Sequence, residues 1–220
     1  MLIRCLFLLW LATSLTSCKT DFSVRKYPPK PEGVFISGKC LVNEIQTDFP
    51  LKHQQKVVEK MMSGLRQVIP QVYYAGYYED MKQFALPLNV TAHPELLTKI
   101  NNELGFDYLI DFQATSTNPR TGWGIALVLQ NFDHQVNVSI SVYDTRSQKL
   151  LYYQRIEVKE EWEESNEYYY EDYEDSQGGF LQDGLVIPRT SENLLKIGIK
   201  KCTYQLKRNA LRKIKSDYQS

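Results

Sequence analysis

The chain carries no surplus charge of either sign. Its 26 Lys and Arg balance 26 Asp and Glu, so no global field draws it to nucleic acid. Glycine is sparse, 11 in 220 residues, and no Gly-rich phosphate cradle forms. Neither a phosphate loop nor a Gly-x-Ser-x-Gly elbow occurs. The three histidines, His53, His93 and His134, stand apart in the sequence. None belongs to a metal-ligand pair or a His-Glu-x-x-His motif, and His53 reads as a surface residue. Beyond the first eighteen residues no apolar run nears the ~20 residues of a membrane helix. These absences argue against an enzyme and call for no cofactor, although distant residues can still converge in space.

What is present begins at the amino terminus. Arg4 precedes an apolar run from Cys5 to Ala12, and small and hydroxyl residues then lead to Cys18. This is the layout of a secretory signal peptide, too short to span a bilayer. Leu15-Thr16-Ser17-Cys18 resembles the lipobox of bacterial lipoproteins. The resemblance implies cleavage after residue 17, a lipid on Cys18 and attachment to a membrane of the cell envelope. Lys19 is not the aspartate linked in some bacteria to inner-membrane retention, which implies the outer membrane. Removing residues 1–17 from 220 leaves 203, enough for one domain with a sizeable core or one with insertions.

Residues 18–33 read as a tether. Pro28, Pro29 and Pro31 block helix and sheet and favour extended backbone. Fifteen such residues reach ~45 Å at ~3.1 Å each. The alternative is that the prolines open the domain and pack on it.

A single domain is expected over 34–215. Val34 to Val42 is a strand candidate. Pro50 opens a helix to about Ile69, with Val58, Met61, Met62, Leu65, Val68 and Ile69 on one face. Val72 to Tyr78 reads as a short strand. Pro94 suits the first turn of a second helix and Gly105 its carboxyl-terminal cap. Phe106 to Thr115 reads as a strand. Val136, Val138, Ile140 and Val142 alternate with Asn137, Ser139 and Ser141, the pattern of a strand with one buried and one wet face. Leu150 to Val158 is its hairpin partner. A terminal helix over Leu194 to Ile214 carries Leu195, Ile199, Cys202, Leu206 and Ala210 along one stripe. The order implies an α/β or α+β fold, a mixed sheet covered by about three helices.

Glu103-Leu104-Gly105-Phe106-Asp107-Tyr108-Leu109-Ile110-Asp111-Phe112 and the hairpin from Val138 to Leu150 resemble passages of the amino-terminal domain of TolB and its relatives. Those relatives include the curli-secretion lipoprotein CsgG and the lipoprotein activators of cell-wall synthases. The resemblance implies a non-catalytic envelope protein that binds a protein partner or assembles.

Two further features are candidate sites. An insertion at about 157–183 holds Glu160, Glu161, Trp162, Glu163, Glu164, Tyr168, Tyr169, Tyr170, Asp172, Tyr173 and Asp175. Between 160 and 175 it has nine carboxylates, four tyrosines and no basic residue. It reads as a solvated loop, as a docking surface for a basic partner, or as a calcium-binding segment. Residues 196–215 carry eight basic side chains and no acid. They read as a solvated face, as a partner for that loop, or as a surface for anionic lipid or polymer. Asn118 to Phe132 includes Trp123, Ile125, Leu127, Val128 and Leu129 and reads as a core strand or a sticky loop. Cys40 and Cys202 either form a disulfide, allowed in an exported protein, or are two small buried hydrophobes.

Overall fold

The computed structural model describes residues 21–28, 34–117, 126–127, 134–161, 185–186 and 190–217. In chain order these form β1 (Asp21–Tyr27), β2 (Lys39–Val42), β3 (Gln46–Thr47), α1 (Gln54–Arg66), β4 (Gln71–Tyr74), α2 (Pro94–Leu104), β5 (Tyr108–Thr117), β6 (Ala126–Leu127), β7 (His134–Asp144), β8 (Lys149–Glu161), β9 (Leu185–Val186) and α3 (Ser191–Asp217). Seven strands make one mixed sheet in the order β1-β8-β7-β5-β2-β4, with β3 pairing β5 off that path. The β1, β8, β7 and β5 neighbours are antiparallel, whereas β2 is parallel to both β5 and β4. β6 and β9 pair as a separate two-stranded ribbon. The architecture is α+β, as the sequence predicts.

The alternation in β7 fixes which face is which. Val136, Val138, Ile140 and Val142 are fully buried and lie opposite Val158, Ile156, Gln154 and Tyr152 of β8. Their face is covered by α1 and α3, whose Val57, Val58, Met61, Met62, Leu65, Leu194, Leu195, Ile199, Cys202 and Leu206 share one apolar cluster with it. The methionines are core filling. Each fully buried Leu or Ile removes enough apolar surface to stabilise by roughly 1.5–3 kcal/mol. Gly198 and Gly64 allow the close approach. A Cβ at 198 would meet Val138 Cγ2 at 2.3 Å, and one at 64 would meet Thr203 Oγ1 at 2.7 Å.

α2 lies on the other face. The chain runs from β2 out to the edge strand β4 through α1, then back past β2 to β5 through α2. Opposite directions of travel with the preferred right-handed crossover put the two helices on opposite faces. A second cluster confirms this, joining Leu97 and Ile100 of α2 to Leu41, Phe84, Leu86, Phe106, Leu109 and Tyr143. Both of the caps read in α2 form. Pro94 sits in its first turn, His93 accepts from Leu96 N–H, and Gly105 takes a left-handed φ of 68°. Among the described residues this second layer covers the β4-β2-β5 part of the face and reaches Tyr143 of β7; Gln135, Asn137, Ser139 and Ser141 beyond it are half-buried.

Several expectations change. Residues 21–27, expected within a free spacer, are the edge strand β1, paired residue by residue with β8 from Asp21↔Glu161 to Tyr27↔Arg155. Phe22 and Val24 pack against the main core, and that burial holds the strand down. β2 starts only at Lys39, and β4 ends at Tyr74 in a 3-10 turn over Ala75–Tyr77. The hairpin strand β8 runs on to Glu161, so the first residues of the expected insertion belong to the sheet.

Cys40 and Cys202 are both free thiols, and both are buried. Cys202 Sγ lies 3.8 Å from the Val138 carbonyl, and Val138 pairs with Ala114 of β5, whereas Cys40 pairs with Tyr108. Six residues along β5 amount to ~20 Å, well beyond the ~7 Å Cα limit of a disulfide. Burial, with the nearby Asp107 carboxylate adding to it, pushes the Cys40 thiol up to about 12. Burial also raises Cys202, so neither is a reactive thiolate.

Candidate functional site

Four chain segments meet at one end of the sheet: the start of β1, the end of β8, the start of β7 and the start of α3. The side chains buried there are polar. His134 Nε2 lies 3.0 Å from Ser191 Oγ, and His134 Nδ1 lies 3.5 Å from Glu160 Oε2. Ser191 Oγ is also 3.3 Å from Ser116 Oγ. The sheet builds the first contact, because His134 and Glu160 are directly opposed on β7 and β8. The helix completes the set by opening at Ser191. Ser116 N–H donates to both carboxylate oxygens of Asp48, at 2.9 and 3.1 Å.

Serine, histidine and carboxylate in this order are the components of nucleophilic catalysis. Here His134 and Ser191 are fully buried and Glu160 is 1% exposed. A nucleophile enclosed to that degree meets no substrate. The cluster pins β5, β7, β8 and α3 together: His134 Nε2 bonds Ser191, while His134 Nδ1 and Glu160 Oε2 face each other at 3.5 Å without a hydrogen bond. Sequence reasoning passed over it because its members are 26 and 57 positions apart. The legible trace is that His134 extends the buried register of Val136, Val138 and Ile140.

Beside it, Glu192 in the first turn of α3 ties that helix to α1. Its carboxylate accepts from the His53 backbone N–H at 3.0 Å, contacts His53 Nδ1 at 3.2 Å and pairs with Lys196 at 2.9 Å. Burial raises its pKa, but the Lys196 ammonium and the His53 N–H outweigh that and hold it below the usual carboxylate range. The His53 ring is 59% exposed.

No protein-family model matches the chain, and no curated protein matches it. Its likenesses are among solved structures. The PelC dodecamer from Paraburkholderia phytofirmans is 12% identical with a TM-score of 0.45, over 85% of this chain and 98% of that one. Lipoprotein GNA1162 from Neisseria meningitidis is 17% identical with a TM-score of 0.36, over 56% and 83%. The LpoB C-terminal domain from Escherichia coli is 12% identical with a TM-score of 0.37, over 57% and 85%.

Most of the side chains expected to form a site fall elsewhere. Cys18, Trp162, Glu163, Glu164, Tyr168, Tyr169, Tyr170, Asp172, Tyr173 and Asp175 lie outside the described residues, as does most of 118–132. Glu160 is not on a solvated loop: it lies in β8 and is buried beside His134. Glu161 is the last residue of β8, opposite Asp21. Of the basic residues in α3, Lys196 is committed to Glu192 and Lys207 Nζ reaches Gln67 Oε1 at 3.3 Å. Among the described residues no helix is long and apolar enough to cross a membrane.

The sheet face turned away from α1 and α3 holds two more groups of interest. Asp111 is 2% exposed, with Asn43 Nδ2 at 3.3 Å and Gln113 Nε2 at 2.8 Å from its two oxygens. Burial pushes its pKa up to about 6 against the pull of those two amides. At the far edge the Arg155 guanidinium stacks over the Tyr27 ring, 5.3 Å from its centre.

Proposed function

We propose that this chain is a lipoprotein of the bacterial cell envelope that works by binding or assembly, without chemistry of its own. Its domain is of the TolB amino-terminal kind, anchored through acylated Cys18, and the outer membrane is its location. The observation that carries the proposal is Leu15-Thr16-Ser17-Cys18 standing directly before the first strand of a folded domain. The sealed state of the Ser191–His134–Glu160 cluster supports the non-catalytic part. Each buried methylene of an acyl chain contributes ~0.8 kcal/mol, and more than one chain makes the attachment durable.

Replacing Cys18 tests this. Cys18→Ala should leave the domain with the wild-type circular dichroism and melting profile while moving it out of the membrane fraction. The wild-type protein should carry the added mass of acyl groups on its amino-terminal peptide. A variant that stays in the membrane fraction with the wild type would refute the anchor.

A further inference from the structure

We propose that the outer surface of α3 around Tyr204, Lys207 and Arg208, flanked by Ser63 and Gln67 of α1, docks a protein partner through a cluster of that partner's carboxylates. This rests on the binding role proposed above and deepens it by assigning the surface and the chemistry of the partner.

Three contacts set α1 and α3 side by side and parallel: Glu192 with His53, Thr203 with Gly64, and Lys207 with Gln67. Tyr204, Lys207 and Arg208 therefore lie level with Ser63 and Gln67, and all five are exposed. Tyr204, a turn before Arg208, is 57% exposed, more than a packed tyrosine would be.

The charge here is of one sign. From Asn193 to Ser216 α3 has no acid, and α1 has Glu59 alone. Glu59 stands eight residues before Gln67, ~12 Å along the helix, and accepts from Gln55. Lys196 is held by Glu192, and Lys200 and Lys201 have contacts of their own. Lys207 meets only the neutral Gln67 amide, and neither Lys207 nor Arg208 is in an ion pair among the described residues. Both cations are thus available to an acidic surface. Tyrosine and arginine are the residues on which protein interfaces most often turn, and the planar guanidinium of Arg208 suits a carboxylate held by two hydrogen bonds.

The anchor argues against the bilayer as the occupant. β1 begins at Asp21, three residues after Cys18, and three Cα steps of ~3.8 Å reach ~11 Å. The sheet is longer than this leash, since the 11 residues of β7 span ~36 Å at ~3.3 Å each. α3 starts at the leash end, where Ser191 meets His134 and Glu160 lies opposite Phe22. Lys207 is sixteen residues further on, ~24 Å along the helix. Lying on the helices would not seat the patch on lipid either. A helix with its side chains is ~10–12 Å across, which lifts β1 by all that the leash can span.

The test uses the full-length acylated protein with the photo-crosslinker p-benzoylphenylalanine in place of Tyr204, or of Tyr153, which is 42% exposed on the opposite face of the sheet. Living cells are irradiated and the adducts identified by mass spectrometry. Position 204 should capture one protein, through a peptide rich in Asp and Glu. Lys207→Gln with Arg208→Gln should lower that yield roughly tenfold or more. Arg208→Glu should abolish it, and a lysine in place of an acid in the captured peptide should restore it. Circular dichroism checks each variant, and the neutral pair decides if the reversed charge unfolds α3. Capture of phospholipid, of an anionic glycan or of residues 161–175 of the same chain overturns the inference. A protein adduct indifferent to the charge changes does so too. A protein adduct at 153 alone overturns the inference and leaves the binding role standing, whereas no protein adduct at either position sinks both.

Discussion

Asp111 makes folding stability depend on pH with a sign opposite to that of a surface aspartate. Its carboxyl is buried, and desolvation lifts its pKa from 3.8 to about 6, against hydrogen bonds from Gln113 and Asn43. Between pH ~4 and ~6 the folded protein keeps this proton and the unfolded chain has lost it. The folded state then binds more protons, so stability falls as pH rises through that window and levels off above it. A shift of roughly two units corresponds to ~3 kcal/mol. Asp111→Asn removes the titration and keeps the shape. The substituted amide oxygen can still accept from Gln113, and its NH2 can donate to Asn43 Oδ1, which is buried and has no hydrogen-bond partner, once the Asn43 amide turns over. At pH 7.5 the variant should be more stable by about 1–3 kcal/mol. With a urea slope of ~2 kcal/mol/M that raises the midpoint by ~1 M. The wild-type midpoint should fall between pH 4 and 6.5 by a similar amount, and the variant should lose that fall. A destabilised variant, or one whose pH slope matches the wild type, would show that Asp111 is not held as an acid by its burial.

Two other substitutions test the packing. Gly198→Ala should destabilise by about 1–3 kcal/mol, because the new methyl meets Val138 Cγ2 at 2.3 Å where α3 crosses the sheet; thermal melting should drop by ~2–4 °C per kcal/mol. An unchanged melting temperature would mean that the helix shifts freely there. His134→Ala should cost ~3 kcal/mol by taking a partner from buried Glu160 and from Ser191, read by urea unfolding, whereas a loss below 1 kcal/mol would count against the cluster as a structural pin.

Periodicity made most of the core legible. The alternation in β7, the stripe of α3 and the caps of α2 each follow from local physics, and the structure follows them closely. β1 was obscured by what comes after it, since Pro28, Pro29 and Pro31 suggest an extended tether. Yet Phe22 and Val24 alternate with Ser23 and Arg25, and that was a usable strand signal. β2 is shorter than its apolar run, because parallel pairing with β5 begins only at Cys40. The polar clusters were beyond reach for a different reason. His134, Glu160 and Ser191, like Asn43, Asp111 and Gln113, are joined by strand register and helix placement, and isolated polar residues carry no periodicity of their own. The acidic segment was conspicuous by composition, but composition did not reveal that its first carboxylate turns inward.

Incorporating β1 into the sheet changes what an anchor on Cys18 would do. A free spacer of fifteen residues lets a domain tumble at up to ~45 Å from the bilayer, so every face is equally available to a partner. A leash of ~11 Å on a body ~36 Å long removes most of those orientations. Its attachment to an edge strand selects which side is lost. Seven residue pairs between β1 and β8 transmit the constraint to the whole sheet, because β8 is in turn paired along its length with β7.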